Sequence, residues 1–95
     1  NFLIRLEGVL TGDTYIEYFV DGKPGKRGLF KRDTPLLLEA NDSIQIKIGD
    51  AGDVKLTING KSEVLGPKGS VANKIIRKMR DPVEQSKFKV VIKDA

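Results

Sequence analysis

The side chains best able to do acid–base or nucleophilic chemistry are the glutamates Glu7, Glu17, Glu39 and Glu63 and the serines Ser43, Ser62, Ser70 and Ser86. A carboxylate-pair hydrolase needs two such groups at a fixed distance across a cleft, and nothing in their spacing brings any pair together. A serine nucleophile needs an activating base, most often histidine, and the chain has no histidine. None of the serines sits in the strained Gly-x-Ser-x-Gly turn that presents a nucleophile. Cysteine is also absent, so thiolate catalysis, disulfides and thiolate metal sites are excluded. The sequence reads as non-catalytic, with no cofactor.

Two motifs invite a binding role and are better explained as architecture. Gly49-Asp50-Ala51-Gly52 has the look of a phosphate loop, but such loops work by aiming backbone N–H groups from a helix N-terminus. Here the alternating run Val54-Lys55-Leu56-Thr57-Ile58 follows, so a strand-to-strand turn is expected. Asp42, Asp50 and Asp53 lack the alternate-position spacing of a calcium loop. Aspartates in turns commonly cap local N–H groups instead. Asn41-Asp42-Ser43 matches a glycosylation sequon and reads as an ordinary turn.

Two features remain as candidates for partner contact. The formal net charge is +4, and it is unevenly spread. Lys23, Lys26, Arg27, Lys31 and Arg32 form one stretch without an acid between them. Lys68, Lys74, Arg77, Lys78 and Arg80 form a second. Such clusters face anionic partners or simply keep a surface solvated. Tyr15, Tyr18 and Phe19 crowd one segment, so both of its faces carry an aromatic. With Ile16, Tyr18 and Val20 as core, Tyr15, Glu17 and Phe19 form a patch for sugar, bases or a protein hot spot. The alternative is that a second sheet or the C-terminal strand covers it. The candidate contact residues are Tyr15, Glu17, Phe19, Lys74, Arg77, Lys78 and Arg80.

The elements that must position these groups are strands. Ninety-five residues build one small core, and no apolar run approaches the roughly 20 residues of a membrane-spanning helix. Phe2, Ile4, Leu6 and Leu10 share one face of a first strand. Tyr15–Val20 is rich in aromatic and β-branched residues. Lys26–Phe30 and Leu36–Ala40 follow, with Pro35 at a strand's first position. Ile44, Ile46 and Ile48 alternate inward, as do Val54, Leu56 and Ile58. Asp21-Gly22 and Asn59-Gly60 are hairpin turns. Ser62–Leu65 returns, and Gly66-Pro67-Lys68-Gly69 breaks the chain. Val71–Met79 reads as strand in preference to a short helix, and Phe88–Ile92 is a last strand. Phe88–Ile92 and Phe2–Ile4 either pair with each other or cover an open edge. The expected fold is all-β: a small antiparallel β-sandwich, immunoglobulin-like, or a partly open barrel of about seven to nine short strands. Residues 1–95 form a single domain in this reading. The chain opens on Asn rather than Met and reads as a piece of a longer protein, any targeting segment lying upstream.

The ordered set Tyr15-Ile16-Glu17-Tyr18, Val20-Asp21-Gly22-Lys23, Gly28-Leu29-Phe30, Ile44–Gly52, Val54–Lys61, Leu65-Gly66 and Gly69 resembles the C-terminal domain of RodZ-type bacterial cell-shape proteins. The resemblance covers residues 3–77 and leaves 78–95 as an extension. The family commonly has Trp where this chain has Tyr15 and Asn where it has Asp50. The resemblance implies a domain on the extracytoplasmic face of the inner membrane, in the periplasm or cell envelope, following a helix-turn-helix module and one transmembrane helix. It implies no enzyme activity. Its role would be an interaction module linking the cytoskeleton to cell-wall synthesis, with envelope proteins of that machinery as partners. Peptidoglycan glycan is the alternative ligand. Nucleic acid is not expected, and the membrane is reached only through the upstream segment.

Overall fold

The computed structural model describes residues 2–95. It holds nine strands: β1 (Ile4–Leu10), β2 (Thr14–Val20), β3 (Lys23–Phe30), β4 (Pro35–Ala40), β5 (Ser43–Ile48), β6 (Val54–Ile58), β7 (Lys61–Glu63), β8 (Ala72–Arg80) and β9 (Phe88–Asp94). They form two antiparallel sheets, one in the order β4-β1-β6-β7 and the other β3-β2-β5-β8-β9. The architecture is therefore an open sandwich. The barrel alternative does not occur, because each sheet ends in its own edge strands.

Period-two patterning accounts for the core. Ile44, Ile46, Ile48, Ile16 and Ile76 from the larger sheet meet Ile4, Leu6, Leu10, Leu36, Leu38, Leu56 and Ile58 from the smaller, all buried. Each such side chain contributes about 1.5–3 kcal/mol on leaving water. Tyr18, Val20, Phe30, Val90 and Ile92 extend the core and are half-buried.

The Asp21-Gly22 and Asn59-Gly60 hairpins occur as expected. Asp21 and Asn59 have φ of 51° and 50°, followed by Gly22 at 79° and Gly60 at 82°. These left-handed pairs match the strand twist that short hairpins require. The Val71–Met79 stretch is strand from Ala72 onward and forms β8, as read. The third strand starts earlier than its apolar pattern suggests, at Lys23, because Asp21-Gly22 folds it directly back onto β2. Gly25 lies where β2 and β3 lose register, and a Cβ there would stand 2.1 Å from the Tyr18 ring. At the ends of the chain one of the two alternatives read from the sequence does not occur. Phe88–Ile92 does not pair with Phe2–Ile4. It runs beside β8 as an edge of the larger sheet, while β1 is central in the smaller. The Phe2 and Phe88 rings meet across the gap, with centroids 5.8 Å apart.

The glycine-rich run after β5 is the crossing between sheets. Ala51–Asp53 tightens into a single 3-10 turn capped by Asp50, whose carboxylate accepts the Gly52 N–H at 3.1 Å and the Gly69 N–H at 2.8 Å. That carboxylate sits where a bound anion would have to sit. A Cβ on Gly52 would lie 2.4 Å from Lys68 Cα, so glycine is needed for the close approach of backbones.

Asp21 ties the hairpin turn after β2 to the turn before β5. Its carboxylate accepts N–H bonds from Asn41 (2.9 Å), Asp42 (2.7 Å) and Ser43 (3.1 Å), and these hold its pKa below the usual carboxylate value. A depressed carboxylate contributes stability above its unfolded pKa, about 3.9, and loses it as pH falls through the folded pKa. Asp21→Asn, which cannot titrate, should reduce the acid-limb loss of stability below about pH 4. Urea unfolding as a function of pH measures it; an unchanged acid limb would refute the assignment.

Candidate interaction surface

Burial of Ile16 and of the Ile44, Ile46 and Ile48 row forces the intervening residues of β2 and β5 outward. On β2 these are Tyr15, Glu17 and Phe19, so the aromatic patch is not covered by the other sheet or by β9. Tyr15 is 40% exposed, while Glu17 and Phe19 are half-buried. The strand order extends this surface sideways. Glu17 stands beside Arg27 on β3 and Lys47 on β5; Phe19 beside Gln45, Gln45 beside Ile75 on β8, and Ile75 beside Lys93 on β9. Ser43 faces Arg77, which faces Val91. The outer face of the five-stranded sheet thus carries a central row, Phe19-Gln45-Ile75, bordered by Arg27, Lys47, Arg77 and Lys93. Lys89 lies at its far end, close to Asp81.

Within that row lies a depression of about 260 Å3 lined by Phe19, Gly22, Ser43, Gln45, Ile75 and Arg77. The Tyr15 hydroxyl donates to Glu17 Oε1 at 2.8 Å, and this bond to a carboxylate raises the Tyr15 pKa above its ordinary value.

Strand alternation divides the basic stretch around β8. Arg77 points to the outer face. Lys74, Lys78 and Arg80 share the side of Ala72 and Ile76, toward the core and its rim. Lys74 pairs with Asp94. Lys78 lies 3.9 Å from Asp42 and 5.0 Å from the centre of the Phe88 ring. The Arg80 guanidinium stacks 5.1 Å from the same ring and donates to the Gln85 carbonyl at 2.5 Å. Lys78 and Arg80 cover Phe88 at one end of the sheet, Lys74 pairs at the other, and none of the three joins Arg77. The other basic stretch is also dispersed: Lys31 lies 3.7 Å from Asp13, while Arg27 joins the outer face.

The remaining chemistry-bearing groups are committed elsewhere. Asp50 caps backbone N–H groups, Asp53 holds the Lys68 ammonium at 2.9 Å, and Asp42 faces Lys78. Among the described residues, no three acidic side chains gather into a metal-binding group. Glu7 is bridged by Arg5 at 2.9 Å on the outside of the smaller sheet, where Arg5 also reaches Glu39 at 3.9 Å.

Gln45, Lys47, Ile75 and Lys93 belong to this surface and were missing from the sequence-derived set. The alternation of Ser43–Ile48 marks Gln45 and Lys47 as outward-facing. Their neighbours across β8 and β9 carry no comparable signal, since sheet order is not written in strand periodicity.

A sequence model of the RodZ C-terminal domain family matches residues 9–74. No curated protein and no solved structure matches the chain. The match takes in β2 to β7 and ends within β8, so the β9 side of the outer face lies beyond it.

Because its hydroxyl donates to the Glu17 carboxylate, Tyr15 should titrate above an ordinary tyrosine, near 10. Glu17→Gln should bring it down. Ultraviolet or NMR titration of both variants measures this, and an unshifted Tyr15 after the substitution would refute the contact.

Proposed function

This chain belongs to the RodZ C-terminal domain family, and on that premise we propose that it is a non-catalytic module through which a bacterial cell-shape protein contacts envelope proteins outside the inner membrane. Contact with the cell-wall synthesis machinery would couple that machinery to the cytoskeleton. The observation that carries this reading is the outer face of the five-stranded sheet. Its Phe19-Gln45-Ile75 row and exposed Tyr15 give an apolar centre with a polar rim, the composition that protein-binding hot spots favour. The absence of histidine and cysteine from the sequence supports a binding role over a catalytic one.

The location and the docking face have separate tests. The natural absence of cysteine allows a single reporter. Lys55→Cys, on the smaller sheet, should react with a membrane-impermeant maleimide in intact spheroplasts expressing the full-length protein. Labelling only after lysis would put the domain on the wrong side of the membrane. For the face, a photocrosslinking residue at Gln45 or Lys93 should trap proteins of the cell-wall synthesis machinery, whereas the same residue at Lys55 should not. Equal trapping from both sheets would remove the outer face of the larger sheet from the reading.

A further inference from the structure

The two outer faces of the sandwich treat charge differently. On the smaller sheet, Arg5 is paired with Glu7 and Glu39. On the rim of the larger sheet, Lys74 and Lys78 are paired with Asp94 and Asp42. On its outer face, Arg27, Lys47, Arg77 and Lys93 have no carboxylate within ion-pair distance among the described residues, although Glu17 lies on the same surface. Neighbouring strands are about 4.8 Å apart and alternate residues about 7 Å apart. Arg77 and Lys93 therefore stand roughly one Debye length from each other at physiological ionic strength, about 8 Å. Their repulsion is incompletely screened, and among the described residues no carboxylate lies within ion-pair distance of either.

The shape of this face narrows what would relieve it. Phe19 and Ile75 are half-buried walls of a depression with the Arg77 side chain on its border. A lipid surface is best met by apolar side chains that protrude into it; Leu29 and Met79 protrude at the margins of this face, whereas Phe19 and Ile75 at its centre line a hollow. A hollow of about 260 Å3 suits one apolar side chain entering from outside. The flanking cations suit carboxylates on either side of that side chain. Building on the docking role assigned to this face, we propose that its partner is an acidic protein surface that places one apolar residue between Phe19 and Ile75 and its carboxylates against Arg77, Lys93 and Lys47. Electrostatic attraction would speed encounter and set orientation, and the buried apolar residue would supply specificity.

The test uses a short peptide of glutamates around one central leucine, titrated to millimolar concentration into the isotopically labelled chain and followed by NMR. Amide shifts should centre on Phe19, Gln45, Ile75 and Arg77. Arg77→Glu and Lys93→Glu should each weaken binding about tenfold. Lys55→Glu, the same change of charge on the other sheet, should leave it unaltered. Raising salt from about 0.05 M to about 0.5 M should weaken binding by a similar factor. Binding that is equally tight when leucine is replaced by glycine would overturn the hollow's role. Equal binding to phosphatidylglycerol vesicles would overturn the choice of a protein, and no shift at millimolar peptide would overturn the proposal. If the peptide fails while Gln45 still crosslinks to envelope proteins, the docking face stands and only its assigned chemistry falls.

Discussion

The packing of Ile44, Ile46 and Ile48 into the space between the sheets is the constraint on which the rest depends. All three are fully buried, and β5 lies at the middle of the five-stranded sheet. A one-residue slip of this strand would send the whole row into water, so its register is fixed by the largest energy available to a small domain. With it are fixed the residues that must face out, Ser43, Gln45 and Lys47. Through the pairing of β2 and β8 on either side, so are Phe19, Ile75 and Arg77. The surface offered to a partner is the obligatory reverse side of the core.

The crossings between sheets make that core possible. A chain of this length can bury only one layer of apolar side chains, so consecutive strands must be handed from one sheet to the other within a few residues. Asp50 manages this with a carboxylate that gathers backbone N–H groups from two turns, and Asp21 from its own turn gathers three N–H groups of the turn before β5. Such bonds, made to a charged acceptor, are stronger than neutral ones. They consume the groups that gave the Gly49–Gly52 run its resemblance to an anion site. Asp50, which looked like a ligand, is an internal fastener of the fold.

Charge follows a parallel logic. Cations at the rim lie over Phe88 or against acids of the chain, where their aliphatic stems cover apolar surface. On the outer face of the larger sheet Arg27 and Lys47 flank Glu17, whereas Arg77 and Lys93 have no such partner among the described residues. Exposed ion pairs add little to stability, about 0–1 kcal/mol at most, so this difference matters less for folding than for what approaches the molecule.

The residues alone determined the strand character, the two left-handed hairpin turns, the inward rows and the absence of histidine and cysteine chemistry, because these depend on local periodicity and side-chain type. They also carried the family, through the order of turns and strands. What they left open was whether Tyr15, Glu17 and Phe19 lie covered, and they grouped Lys74, Arg77, Lys78 and Arg80 by adjacency in the chain. Tertiary structure settled both. Period-two geometry sends Arg77 to one side of β8 and its neighbours to the other, and only the order β3-β2-β5-β8-β9 places Arg77 and Lys93 on one face with Phe19 and Gln45. Strand order is set by long-range packing between segments far apart in the chain, and local sequence does not encode it.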